Sequence, residues 1–312
     1  MRINEELHGF LDSFLLIFSS SISVAFPFVG VPFLRLSFHT SIPGFDIRLV
    51  SYQNSQVNCS QISSQTLLGK LIRLPFKLLP RGAVVRILRG PARGRRWISD
   101  SSTRGFWLGY WELENQRLFA QHLHPGDVVY DIGAHVGLYT ILSSVRVQNT
   151  GHVYAFEPLP RNLHFLRRHA GLNCLSNCTI IEAAVSDSSG TRRFDPTEHD
   201  SAGHFSLSGS LTVSAISLDE FLVSAPGIRP PTAMKVNAEG AEMEVLSGGR
   251  RVIGTYFPLI FLSTHSPEIH QKCTNLLESM GYAVREVSGD KLWAAKSDRR
   301  ESLDSCPAAE GV

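Results

Sequence analysis

The stretch VVYDIGAHVGLYT, residues 128–140, limits the possible folds more than any other part of the chain. A run rich in β-branched and aromatic residues ends at Gly133, a second glycine follows at Gly137, and an apolar helical pattern then begins. This reads as strand, tight turn and helix. In an open α/β sheet, ligands collect at such turns, outside the carboxyl ends of the strands. Gly133 and Gly137 are therefore expected to let the backbone approach a ligand, with the free N–H groups of the new helix pointing at it.

Strand and helix signals alternate from there on. Residues 153–156 are expected as a second strand ending at Glu157-Pro158, residues 162–169 as a helix, and residues 179–185 as a third strand. Residues 186–210 read as a turn-rich excursion. LTVSAISLDEFL, TAMKVNAEGAEMEVL and PLIFLSTHSPEIHQKCTNLLESM each give a strand and a helix, and YAVREV with LWAAK gives a terminal antiparallel pair. Alternation of this kind predicts a mainly parallel sheet sandwiched by helices.

With 312 residues and 43% hydrophobic content the chain can bury a substantial core, and a net charge of +2 is too mild to call for nucleic acid as a partner. The five cysteines (Cys59, Cys174, Cys178, Cys273, Cys306) are scattered without paired C-x-x-C spacing. They point to a reduced, cytoplasmic chain, and no metal is assigned.

Four regions are expected: an N-terminal extension (1–66), a basic and aromatic cap region (67–125), the α/β domain (126–296) and a disordered tail (297–312). Within the extension, residues 13–34 are free of charge and long enough to span a bilayer. Pro27, Pro32 and an acidic leader argue instead for a poorly ordered extension or an over-long start, and both readings stand. The polar stretch that follows reads as a linker. The cap carries Lys70, Arg73, Lys77, Arg81, Arg86, Arg89, Arg93, Arg95 and Arg96 with no acid among them. The favoured reading is a solvated helix and hairpin covering the sheet; the other is membrane contact through residues 13–34 and 70–96. Trp107, Tyr110 and Trp111 either roof a ligand site or pack in the core.

Which ligand sits at the turn follows from comparing cofactors. A dinucleotide site needs G-x-G-x-x-G and a phosphate loop needs G-x-x-x-x-G-K-[ST]. The chain has D-x-G-x-x-x-G instead, and Asp131 at the strand end opposes a pyrophosphate and favours a cation. S-adenosylmethionine is a cation, with a sulfonium, an ammonium and a ribose whose hydroxyls suit an acid at the end of the next strand. Glu157 stands there, at the interval a βαβ unit requires.

VVYDIGAHVGLYT, VYAFEPLPRNLHFLRRH, AISLDEFL and MKVNAEGAEMEVLSGG, followed by a proline, a strand and THS, also carry a family resemblance. From about residue 68 to residue 287 the chain resembles the FkbM family of S-adenosylmethionine-dependent methyltransferases. The resemblance implies a Rossmann-like class I methyltransferase fold, with a mainly parallel seven-stranded sheet flanked by helices and an antiparallel C-terminal strand pair. It also implies O-methylation of a hydroxyl on a sugar, polyketide or related metabolite. Asp131, Gly133, His135 and Gly137 match the family's donor loop, Glu157 its ribose acid, Asn162 the asparagine of its Pro-x-Asn, and Lys235, Glu239 and Glu242 its lysine-strand-Glu-Gly-Ala-Glu element. A first-turn cap for the helix is the other reading of Asn162.

Two positions depart from the pattern: His135 stands where the family commonly has asparagine, and Asn237 where it commonly has aspartate. Asparagine cannot act as a base. Aligning donor and acceptor supplies ~7–11 kcal/mol of a methyl transfer barrier, whereas a base adds only ~10²–10⁴-fold. His265, after a strand in FLSTHS, is the preferred base, with a hydrogen-bonded structural histidine as the alternative. Lys235 and Glu239 orient the acceptor or the methionine part, or else form an ion pair. An O-methyltransferase with a small-molecule or glycan acceptor is the leading expectation, and a binding or scaffolding protein of the same fold is its rival.

Overall fold

A computed structural model describes residues 79–196, 203–205 and 210–299, together with the backbone of three strands nearer the start, β1 (Ile22–Phe28), β2 (Val31–Thr40) and β3 (Phe45–Ser51). These three form an antiparallel meander, so part of the apolar run at 13–34 is strand. No helix among the described residues is long and apolar enough to cross a membrane. The linker expected at 51–66, the basic residues Lys70, Arg73 and Lys77, Cys59, Cys306 and almost all of the tail lie outside the described residues.

The described part of the basic segment is a hairpin of β4 (Val84–Arg86) and β5 (Arg96–Ile98). Two short helices follow, α1 (Arg104–Leu108) and α2 (Leu113–Gln121). Then comes the expected rhythm: β6 (Val128–Ile132), α3 (Leu138–Val147), β7 (His152–Phe156), α4 (Pro160–Leu172) and β8 (Cys178–Ile181). All five residues of β6 are buried, as a strand covered by helices on both faces requires.

The expected third strand, 179–185, is broken in two. A tight turn, with Ala183 N–H donating to Ile181 C=O at 2.9 Å, ends β8 and sends β9 (Ala184–Val185) elsewhere. There it joins β10 (Gly190–Pro196), β11 (Gly203–Phe205) and β12 (Leu211–Ile216) in a separate four-stranded sheet of order β11-β10-β12-β9. Two expectations are corrected here. Residues 186–210 contain strands, and LTVSAI pairs outside the main sheet. Its alternation of buried Val213 and Ala215 with exposed neighbours fits a strand covered on one face, where Phe194, Ala184 and Leu159 pack against it.

The chain returns through α5 (Leu218–Val223) to β13 (Ala233–Val236), then α6 (Glu242–Gly248), α7 (Arg250–Tyr256), β14 (Leu259–Ser263), α8 (Pro267–Ser279), β15 (Tyr282–Ser288) and β16 (Lys291–Lys296). The main sheet is seven-stranded, in order β15-β16-β14-β13-β6-β7-β8, and only β16 runs against the rest. This is the architecture expected from the alternation. The connections from β6 leave for β7 on one side and arrive at β13 on the other, so β6 and β13 flank the switch point where such sheets bind ligands.

Pleating assigns the faces. Val128, Tyr130 and Ile132 pack with Leu218, Phe221, Val245 and Leu277 on one side, and Val129 packs with Trp97, Phe119, Ile141 and Trp293 on the other. The cap is thus an integral layer of the core, with Trp97 stacked 4.0 Å from the His169 ring of α4. His169 is fully buried and held on both nitrogens: Nδ1 lies 2.7 Å from Val136 C=O, and Ile98 N–H donates to Nε2 at 2.9 Å. Only the neutral ring satisfies both contacts, and burial lowers its pKa to about 4.

The unfolded histidine titrates near 6.5. A depressed folded value gives stability that is complete above pH 6.5 and is lost as pH falls toward 4. We expect urea unfolding to show a loss of about 2 kcal/mol between pH 6.5 and 5 from this group, at ~1.36 kcal/mol per pH unit. His169→Gln should remove that part of the slope, and an unchanged slope would assign the proton uptake elsewhere.

Candidate active site

The carboxyl ends of β6, β7, β13 and β14 open into a cavity of about 240 Å³. Gly133, Ala134 and His135 from the glycine turn, Glu157 from the end of β7, and Lys235, Asn237 and Glu239 from β13 and its following loop line it. Phe106 and Trp111 of the cap, stacked at 4.4 Å, close it from above. Of the three aromatics singled out in the sequence, Trp111 lines the cavity, Trp107 is buried in the core and Tyr110 is exposed.

Register explains the centre of the site. Asp131 and Lys235 are direct partners across the parallel β6 and β13 strands and point to the same face. Lys235 Nζ lies 3.3 Å from Asp131 Oδ1, donates to Gly133 C=O at 2.7 Å, and sits 5.4 Å above the Tyr139 ring. Asp131 is wholly buried, accepts from Thr140 Oγ1 at 2.6 Å, and does not line the cavity. Its charge is therefore answered by Lys235 and not left facing a ligand.

The glycines also have a packing reason beside the one expected, and Gly133 lines the cavity. A Cβ at Gly133 would run into the Asn237 carbonyl oxygen, and one at Gly137 would sit 2.6 Å from Leu166 Cδ1. Each glycine admits a neighbouring part of the protein, so the turn is fixed by internal packing.

Glu157 is the best-prepared acceptor. Its carboxylate receives His135 N–H at 2.8 Å, Leu159 N–H at 3.0 Å and Asn162 Nδ2 at 3.2 Å. Burial pushes its pKa up while these hydrogen bonds pull it down. Asn162, expected either at the ligand or as a helix cap, lines the cavity and orients Glu157 there. His135, with φ of 54°, has its pKa lowered to about 3, mainly by burial and then by Lys235, so it stands as a neutral ring whose Nε2 has no partner among the described residues.

At the other wall the loop after β13 folds over Glu242, whose Oε1 accepts from Ala238 N–H at 3.2 Å and Gly240 N–H at 3.0 Å. His265 lies between two carboxylates, with Nδ1 2.8 Å from Glu242 and Nε2 3.3 Å from Glu239. The Glu242 hydrogen bond, first among the causes, raises its pKa. This corrects the expectation of a general base: both ring nitrogens are engaged by carboxylates, and the ring does not line the cavity. His265 anchors Glu239, which does. Asn237 lines the cavity with its side-chain amide unpartnered among the described residues.

Sequence reasoning missed Glu112 and Tyr139. Tyr139 OH donates to Glu112 Oε2 at 3.3 Å, and Lys291 Nζ lies 3.3 Å from Glu112 Oε1. Both Glu112 and Tyr139 line the cavity. Glu112 also has a left-handed backbone, φ of 46°, which no residue-type signal announces.

Comparison with known proteins agrees with this geometry. Residues 131–284 match the methyltransferase FkbM domain. The hexuronic acid methyltransferase AglP of Haloferax volcanii is 31% identical over 134 residues, 42% of this chain and 54% of that protein. The 31-O-demethyl-FK506 methyltransferase FkbM of Streptomyces tacrolimicus is 34% identical over 87 residues, 27% of this chain and 33% of that protein. The chain thus spans about half or less of the length of these curated relatives. A solved structure of methyltransferase FkbM from Methylobacillus flagellatus KT is similar at 18% identity and a TM-score of 0.40, over 64% of this chain and 56% of that one. Over residues 131–284 this chain is thus similar to the methyltransferase FkbM domain.

Proposed function

We propose that this protein is an S-adenosylmethionine-dependent O-methyltransferase that acts on a hydroxyl of a sugar, polyketide or related metabolite. The observation that carries the reading is the charge of the cavity wall. Among the described residues Glu112, Glu157 and Glu239 line it against one lysine, Lys235, which Asp131 already neutralises. Such a wall attracts a cationic ligand and repels a pyrophosphate. S-adenosylmethionine, when bound, supplies a methyl group on a sulfonium.

The chain's own residues do the rest. Glu157, held by three donors, keeps about one of its four lone-pair sites free for a ribose hydroxyl, and the unpartnered His135 Nε2 adds a polar contact beside it. Asn237 and Glu239 face the cavity from the β13 loop, where an acceptor hydroxyl is oriented by the amide and loses its proton toward the Glu239 carboxylate. The two curated relatives, named for a hexuronic acid and for 31-O-demethyl-FK506, support this acceptor chemistry.

Isothermal titration of the full chain with S-adenosylmethionine is the test. Saturable binding is expected, and Glu157→Gln should weaken it roughly 10–100-fold, since hydrogen bonds to a charged group contribute about 1.5–3 kcal/mol. No binding by folded protein would refute the donor. Binding without methyl transfer to any hydroxyl acceptor would favour the rival reading, a methyltransferase-fold binding protein, for which the neutral Asn237 speaks.

A further inference from the structure

Four carboxylates lie at or beside the cavity, and they are not equivalent. Asp131 is buried away from it and paired with Lys235. Glu157 is 4% exposed and oriented by three protein donors at the β7 end. Glu239 is drawn back toward His265.

Glu112 differs from all of these. It reaches the cavity from the cap, at the side of α3, where Tyr139 in the first helical turn holds one of its oxygens. Its cationic neighbour among the described residues, Lys291, sits closer to Asp290, at 2.6 Å, than to Glu112, at 3.3 Å. Two carboxylates therefore share one ammonium, and a negative charge is left over at the cavity wall. The left-handed backbone of Glu112, φ 46° and ψ 36°, costs energy in a residue with a Cβ, a strain it shares with Glu239 at φ 50°. Strain of that sort collects at functional sites, where the surrounding structure holds a side chain in a set place.

We infer that Glu112 is the carboxylate that receives the ammonium group of the donor, an inference that rests on the S-adenosylmethionine reading. The adenosine then lies toward Glu157 and the methionine end toward Glu112, with the α3 turn between them. The cap becomes part of the donor site, although Glu112 lies outside the residues that match the family domain.

The test needs no acceptor. The full chain is titrated with S-adenosylmethionine, with S-adenosylhomocysteine, which keeps the ammonium, and with 5′-methylthioadenosine, which has neither ammonium nor carboxylate. Glu112→Gln should weaken the first two roughly 10–100-fold and leave the third within about 2-fold. Glu112→Asp, which keeps the charge, should recover part of the loss.

Equal weakening of all three ligands would mean a general lesion of the site and would overturn the inference, as would no weakening at all. Selective loss in Glu239→Gln, with Glu112→Gln unaffected, would move the ammonium to the β13 loop and overturn it too. Wild-type protein that binds 5′-methylthioadenosine and S-adenosylmethionine while Glu112→Gln changes neither sinks this inference alone. Wild-type protein that binds none of the three sinks the donor reading as well.

Discussion

Replacing Lys235 with methionine is expected to destabilise the protein by ~3–5 kcal/mol, the cost of leaving one partner of a buried ion pair uncompensated. Asp131 has no solvent access, and its other side-chain contact among the described residues is the Thr140 hydroxyl at 2.6 Å. Lys235 Nζ also caps the carbonyls of Ile132 and Gly133, at 3.3 and 2.7 Å, so the same change takes that donor from Gly133 C=O, while Ile132 C=O keeps the Asn237 N–H. At ~2–4 °C per kcal/mol for a domain of this size, the melting temperature should fall by roughly 6–20 °C.

The double variant Asp131→Asn, Lys235→Met separates charge from packing. With the carboxylate gone, nothing charged is stranded, and the double variant should be more stable than Lys235→Met alone. Partners in contact show coupling of ~0.5–3 kcal/mol in such a cycle. Chemical unfolding of the four proteins measures it. A Lys235→Met protein within about 1 kcal/mol of wild type would show that water reaches the pair and that the ion pair does not organise the site.

The parts of the site that were legible in the sequence are those fixed by local spacing. Val128 to Ile132 is a buried β-branched and aromatic run apart from Asp131, Gly133 and Gly137 break it, and Glu157 follows at the interval that one helix and one strand impose. A βαβ unit cannot put that acid elsewhere. Pairings set by tertiary structure were not legible. LTVSAI reads as a strand from its alternation, but alternation does not say which sheet receives it, and the turn at Ala183 diverted its partner β9 out of the main sheet. His265 looked like a base because it follows a strand at the ligand face. Only the fold shows that Glu242 and Glu239 occupy both of its nitrogens. Glu112 gave no signal, because its importance comes from Tyr139 and Lys291, which are distant in sequence.

Asn237 illustrates the same division between local and tertiary information. Its side chain is all that the sequence offered, and the loss of a carboxylate there suggested weakened chemistry. In the fold its backbone matters as much: Asn237 N–H donates to Ile132 C=O at 3.0 Å, and its carbonyl rests where Gly133 lacks a Cβ. The loop that carries Asn237 and Glu239 is thus built onto the turn that carries the donor side of the cavity. Anything that separates those two backbones disturbs both halves of the site at once.

Gly133→Ala should do so. At φ of 70° an alanine incurs the left-handed penalty of ~1–2 kcal/mol. Its methyl would also be driven into the Asn237 carbonyl, backbone that cannot rotate away, and overpacking of this kind costs ~1–3 kcal/mol. A loss of roughly 2–5 kcal/mol is expected in the ligand-free protein. Gly137→Ala meets only the end of the flexible Leu166 side chain and should cost less, despite its own φ of 100°. The comparison decides why the glycines are there. If they served the approach of a ligand, Gly133→Ala would impair donor binding and leave ligand-free unfolding unchanged. If they serve the packing of one loop against another, ligand-free stability falls first, Gly133→Ala is the worse variant, and donor affinity declines because the β13 loop has been pushed off the turn.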